Sequence, residues 1–149
     1  MRRIRRAVAG IALASALTPA PAPAVASPGD AVVREINRER LWNGLAPLSR
    51  SPSLHHSSSR FARRLMSRNA FGHQARIAAS SSFDRVGENL ALHWSTAPRP
   101  RHTVARWLDS PSHRALVLSS RFRLVGVGRA RGEFSGRGAT IWVAHFGRR

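Results

Sequence analysis

The feature that most constrains the fold is where the strand-forming residues fall. The two best strand patterns, Arg123 to Arg129 and Thr140 to Phe146, both lie at the C-terminal end. The glycine-bearing span Gly132 to Gly138 joins them, which predicts a terminal hairpin. Before them, apolar residues recur mainly at helical spacing. Val32, Val33, Ile36 and Leu41 make one stripe that starts near Asp30, with Arg34, Arg38 and Glu39 opposite, and Asn43-Gly44 ends it. Ser51-Pro52 reads as an N-cap followed by proline at the first helical position, where its missing N–H costs nothing. The second helix then runs to about Asn69, with Leu54, Phe61, Ala62 and Leu65 inward and Arg60, Arg63, Arg64 and Arg68 solvated. Ala75 to Arg85 is small and serine-rich, a loop, and Leu90 to Trp94 is strand-like. Beyond the proline-bearing connection Ala97 to Arg101, Val104, Trp107 and Leu108 predict a third helix. Ser110-Pro111 repeats the cap signature and places His113 in the first turn of a short fourth. The tryptophans Trp42, Trp94, Trp107 and Trp142 sit within apolar patterns and are expected in the core. Helices first and antiparallel strands later predict an α+β layer fold.

The N-terminal stretch is too simple to belong to that domain. Met1 to Arg6 carry four arginines, Ala7 to Leu17 form a short apolar run, and Ala24-Val25-Ala26 supplies the small residues a signal peptidase prefers. Residues 1–26 therefore read as a signal peptide, and the mature protein is expected to be secreted or periplasmic. The apolar run is too short for a stable bilayer anchor and no later segment approaches the required length, so no transmembrane anchor is expected. Pro19 to Gly29 is a proline- and alanine-rich tether, residues 27–30 form its end, and the domain occupies 31–149. Cleavage after Ala26 removes four arginines and no acid, leaving 21 arginines against seven acids, a formal charge of +14.

Composition removes several function classes. All 25 basic residues are arginine, so there is no Walker-type phosphate loop, no Schiff-base lysine and no lysine general base. Cysteine is absent, so an exported domain of this size is held by its core alone, and any metal site must use His, Asp or Glu. No G-x-S-x-G elbow singles out a serine nucleophile. The arginines are spread without a clustered aromatic stacking platform, so nucleic acid is not expected as a partner.

Three short pieces carry the possible chemistry: Phe71-Gly72-His73, Gly87-Glu88-Asn89 and Ser110-Pro111-Ser112-His113-Arg114. Two imidazoles and a carboxylate make a zinc-type ligand set, and the same groups could handle protons without a metal. Their wide spacing excludes a local motif such as HExxH, so any site is assembled by folding. The first-turn position of His113 disfavours its protonated form through the helix dipole. His55, His56 and His102 read as surface residues. His93 falls on the opposite strand face from Glu88, and His145 shares a face with Ile141 and Val143; both are expected at the core edge rather than as ligands.

Taken in order, the motifs resemble the CAP superfamily, or SCP/TAPS domain, of cysteine-rich secretory proteins, venom antigens and plant pathogenesis-related proteins, and its bacterial branch most. The matching elements are Ile36-Asn37 with Arg40, Gly44-Leu45-Ala46-Pro47-Leu48, Phe71-Gly72-His73 and Gly87-Glu88-Asn89-Leu90-Ala91. Trp107 with Ser110-Pro111-Ser112-His113-Arg114, Phe122 leading to Val125-Gly126-Val127-Gly128, and Trp142-Val143-Ala144-His145-Phe146-Gly147 complete the series. The resemblance implies an α-β-α sandwich with a small antiparallel sheet flanked by helices. It also implies that His73, Glu88 and His113 match three members of a cavity tetrad that in some relatives binds a divalent ion such as zinc. Where those relatives have a second glutamate this chain reads Trp107-Leu108-Asp109-Ser110, which makes Asp109 the candidate fourth cavity residue. The expectation is a monomeric, non-catalytic secreted domain whose cavity takes a divalent ion or small ligand. A metal-dependent hydrolase with Glu88 as general base, and a cationic module binding anionic cell-envelope polymers or lipids, are the alternatives.

Overall fold

The computed structural model describes residues 26–79 and 83–149. The predicted signal peptide up to Val25 and three serines of the Ala75–Arg85 segment lie outside them.

Helix α1, Pro28–Trp42, starts two residues before Asp30 because Ser27 and Asp30 form a capping box. The Ser27 hydroxyl accepts from the Asp30 N–H at 3.2 Å and the Ser27 N–H donates to Asp30 Oδ2 at 3.1 Å. Val32, Val33 and Ile36 face the core, but Leu41 and Trp42 are 60% and 85% exposed, against the sequence reading. The inward place one turn after Ile36 falls on position 40. There Arg40, 1% exposed, donates to the carbonyls of Ala46, Val117 and Ser119 at 2.9, 2.8 and 2.9 Å. A guanidinium thus replaces the leucine, and the last turn of α1 binds the loop after it and the segment around Val117.

Strand β1 is the pair Ser49–Arg50, and helix α2, Pro52–Ser67, follows from Ser51, whose hydroxyl accepts from the Leu54 N–H. Then come strand β2, Arg85–His93, helix α3, Pro100–Asp109, helix α4, Pro111–Val117, and strands β3, Leu124–Phe134, and β4, Arg137–Arg148. The sheet order is β1-β3-β4-β2. The neighbouring pairs β3/β4 and β4/β2 are antiparallel, whereas β1 is parallel to β3, so the sheet is not wholly antiparallel. Two residues are too few to leave a period-two signal. The hairpin is tighter than the Gly132–Gly138 connection suggests: Ser135 and Gly136, with φ of 48° and 73°, form the turn between Phe134 and Arg137.

Alternation along β3 and β4 divides the core into two layers. Val125, Val127, Trp142, Ala144 and Phe146 pack with residues of α1, α3 and α4 on one face. Ala130, Phe134, Ile141 and Val143 pack with Phe61, Ala62 and Leu65 of α2 on the other. This is the α-β-α sandwich. Trp107 and Trp142 are core residues as expected; Trp94 is 48% exposed because β2 stops at His93, and its ring lies over Phe134 and beneath the Arg137 guanidinium.

His93 faces α3, where Nε2 lies 3.0 Å from the Thr103 hydroxyl. Burial, and then the charges of His102, Arg106 and Arg99, push its pKa down to about 4. The folded state therefore keeps this ring neutral while the unfolded chain takes up a proton near pH 6.5. Stability from this residue is complete above pH 6.5 and is lost as pH falls toward 4. Between pH 7 and pH 5 the loss should be on the order of 2 kcal/mol, and His93→Gln should remove it. Denaturant midpoints at the two pH values compare the proteins; the same pH change in both would exclude His93 as its source.

Candidate functional site

The site forms at the free edge of β2, where adjacent residues of one motif turn to opposite faces of the sheet. Glu88 points toward the α2 side and Asn89 toward α4, where its Nδ2 donates to the backbone carbonyl of His113 at 3.0 Å. Asn89, fully buried, thereby fixes the start of α4 against the strand. Gly87 leaves room beside Leu116 and Phe122, whose side-chain carbons would each stand 3.0 Å from an added Cβ. On the other flank Asn69, two residues past the end of α2, is in left-handed conformation with φ 48°, and its Oδ1 accepts from the Ser135 N–H at 2.6 Å. The chain turns back there and carries Phe71, Gly72 and His73 around the strand edge.

The carboxylate of Glu88 is the centre of the arrangement. Oε1 accepts from His73 Nδ1 at 2.9 Å, and Oε2 accepts from Gln74 Nε2 at 2.7 Å and from His145 Nε2 at 2.9 Å. Burial alone would raise the pKa of this group. The hydrogen bonds from His145, Gln74 and His73, with the charge of His145, outweigh burial and hold it below the usual carboxylate value. Glu88 is therefore ionised at neutral pH with both oxygens engaged. The rings of His73 and His113 face one another with centroids 6.4 Å apart and planes inclined by 47°. Burial first, and then His73, depress the pKa of His113, which keeps its ring neutral. The direction matches the sequence expectation; desolvation is its main cause.

His73, Glu88 and His113 thus come together across the strand edge. Asp109 ends α3 as an exposed residue and is not among those lining the cleft beside His113. That cleft, about 290 Å³, is formed by Phe71, Leu90, Ala91, Leu92, Arg106, Trp107, Ser110 and His113. A second, about 370 Å³, lies on the α2 side of His73, and Phe71 borders both. Among the described residues no group of three or more His, Asp and Glu side chains is placed to hold one metal ion between them.

Sequence reasoning missed three contributors: Gln74, His145 and Ser57. His145 does share its face with Ile141 and Val143, and it is fully buried, yet it is bonded to Glu88 rather than merely packed. The signal is a cross-strand register, Glu88 opposite His145, which a single sequence does not display. Ser57 Oγ lies 2.5 Å from His145 Nδ1, giving a serine–imidazole–carboxylate chain. Ser57 itself is buried, only 4% exposed.

Comparison with known proteins agrees with this architecture. The structure resembles an outer surface protein from Borrelia burgdorferi, with a TM-score of 0.64 at 22% identity over 79% of this chain and 90% of that one. It also resembles an extracellular SCP-domain protein from Bacillus anthracis, with a TM-score of 0.65 at 18% identity over 82% of this chain and 40% of that one. These likenesses concern the fold. In sequence, the uncharacterized protein YkwD of Bacillus subtilis is 29% identical over 124 residues, 77% of this chain. The match spans 45% of YkwD, less than half its length. The family model described as the cysteine-rich secretory protein family, CAP, matches residues 33–146, from Val33 of α1 to Phe146 of β4. Although it lacks the cysteines of that description, the chain belongs to the CAP family.

Proposed function

We propose that this is a secreted, non-catalytic CAP domain in which His73 and His113 together hold a divalent ion such as zinc, with Glu88 behind them as the group that orients His73. The observation that carries the reading is the hydrogen bond from His73 Nδ1 to a buried carboxylate, in a ring that faces a second imidazole. Metal-binding histidines commonly donate their other ring N–H to a carboxylate, which fixes the tautomer and raises the basicity of the coordinating nitrogen. With Nδ1 engaged, His73 presents Nε2. The donor set fits a two-imidazole site whose remaining positions are filled from solvent, and not a closed structural zinc site.

A bound divalent ion would supply Lewis-acid polarisation and a small, selective point of attachment for an anionic or carbonyl ligand in the adjoining cleft. Glu88 is a poor general base for a hydrolase. Three side-chain donors already use its oxygens, and its lowered pKa weakens its hold on a proton. The chain's own contribution is binding and orientation: Asn89 fixes His113 and Glu88 fixes His73.

Titration calorimetry of the protein from Ser27 onward, freed of metal, tests the reading. Zinc is expected to bind in one-to-one stoichiometry, and His73→Ala/His113→Ala to lose at least a hundredfold in affinity. No binding by the wild type, or binding unchanged in the double variant, removes the proposal.

A further inference from the structure

Glu88 joins two imidazoles, one on each oxygen, and only one of them is exposed. His73 is 57% exposed, whereas His145 is fully buried in β4, an inner strand of the sheet, and cannot touch a solvent-borne ion or ligand. We infer that His145 is a positioning residue: acting through Glu88, it determines which nitrogen of His73 carries the proton and which is left free to bind. This rests on the two-imidazole reading of the site and adds to it a residue that touches neither ligand nor metal.

The inference follows from what would otherwise leave Glu88 loose. The terminal torsion of a glutamate is broad and roughly two-fold, so the carboxylate takes the orientation its partners impose. Its exposed-side partners come from the segment after α2: His73 Nδ1 at 2.9 Å, the Gln74 backbone N–H at 3.4 Å, and Gln74 Nε2 at 2.7 Å. The partner anchored in the sheet is His145 Nε2, 2.9 Å from Oε2. That nitrogen must carry a proton, because an unprotonated Nε2 would set its lone pair against a carboxylate oxygen. Gln74 Nε2 lies 3.2 Å from the same ring nitrogen; both are donors that share Oε2, so they do not bond to each other. The imidazole is steadied in turn by Ser57 of α2. The serine hydroxyl either donates to Nδ1 at 2.5 Å or accepts from it while donating to the Leu54 carbonyl at 3.2 Å. A buried chain therefore runs from α2 through β4 and β2 to the strand edge, and its last link holds the Nδ1–H form of His73.

Nitrogen-15 NMR of the metal-free protein reads the His73 tautomer directly, and zinc calorimetry reads its consequence. The wild type is expected in the Nδ1–H form. His145→Met, which roughly keeps volume and removes the donor, should shift His73 toward the Nε2–H form and weaken zinc binding about 10- to 100-fold. His145→Gln, whose amide N–H takes the place of Nε2–H, should restore both. Ser57→Ala should move the tautomer the same way by less, and serves if the methionine variant does not fold. A wild-type His73 in the Nε2–H form overturns the inference, as does a folded His145→Met with tautomer and affinity unchanged. If the tautomers behave as stated while the wild type binds no zinc, the positioning role stands and the metal reading falls.

Discussion

Replacing Gly126 with alanine is expected to prevent the domain from folding at ordinary temperatures. Gly126 sits in β3 directly beneath the first turn of α2, and an added Cβ would lie 2.0 Å from the His55 backbone nitrogen and 2.3 Å from the Leu54 carbonyl carbon. Those are backbone atoms at the capped start of a helix, so no side chain can rotate away. Relief requires α2 to lift from the sheet, which strips Phe61, Ala62 and Leu65 from the core formed with Ile141 and Val143. Overpacking of this kind costs about 3 kcal/mol or more. Gly72→Ala is the matched control, since nothing lies within 4 Å of its added Cβ. Its effect should stay within about 0.5 kcal/mol. Thermal unfolding followed by circular dichroism compares them, and two melting curves alike would contradict the close approach of α2 to β3.

The second large effect is expected at Glu88→Gln. The substitution keeps shape and removes charge, but it also puts an amide N–H₂ on a carboxyl that faces donors at both oxygens. If the amide oxygen keeps the His73 Nδ1 bond, the amide nitrogen meets Gln74 Nε2 and His145 Nε2, both donors. If it turns over, the His73 bond is lost instead. Leaving buried donors without an acceptor costs about 3 kcal/mol, the range seen when one partner is removed from a buried charged pair. The pH dependence carries the same signature. A carboxylate whose folded pKa is lowered stabilises the protein above its unfolded value, near 4.5, and that contribution is lost as pH falls through the folded value. The wild type should therefore lose its advantage over Glu88→Gln below about pH 4.5 in paired denaturant titrations. A difference that persists undiminished at pH 3 would mean that Glu88 is not held ionised by its neighbours.

Much of the fold is legible in the residues because its instructions are local. Ser27 with Asp30 and Ser51 with Leu54 start their helices through bonds made within one turn, whereas Pro111 starts α4 by its fixed φ, with no side-chain cap bond from Ser110. The helices began where those caps stand, or within a residue or two of where the apolar stripes suggested. What the sequence concealed was phase and register. Leu41 and Trp42 continue an apolar run, but the helical phase set by Val32, Val33 and Ile36 turns Arg40 inward and leaves both exposed. An arginine with three carbonyl acceptors can occupy a buried place that apolar bias reserves for leucine. The site shows the same division. His73, Glu88 and His113 are visible as separate motifs, and strand parity places Glu88 and Asn89 on opposite faces. That Glu88 stands opposite His145 depends on how β2 and β4 align, a long-range pairing that no local pattern encodes.

The orientation of Glu88 ties these results together: its oxygens are spent on His73, Gln74 and His145, which makes it an organiser of the imidazole pair. X-ray absorption at the zinc edge of the loaded protein tests this most directly. Two imidazole rings, with nitrogen at about 2.0 Å and the outer-shell scattering of the rings, completed by water oxygens, are predicted, and the ring signal should fall by half in His113→Ala. A spectrum with no imidazole scattering, or one unchanged by His113→Ala, would contradict the account.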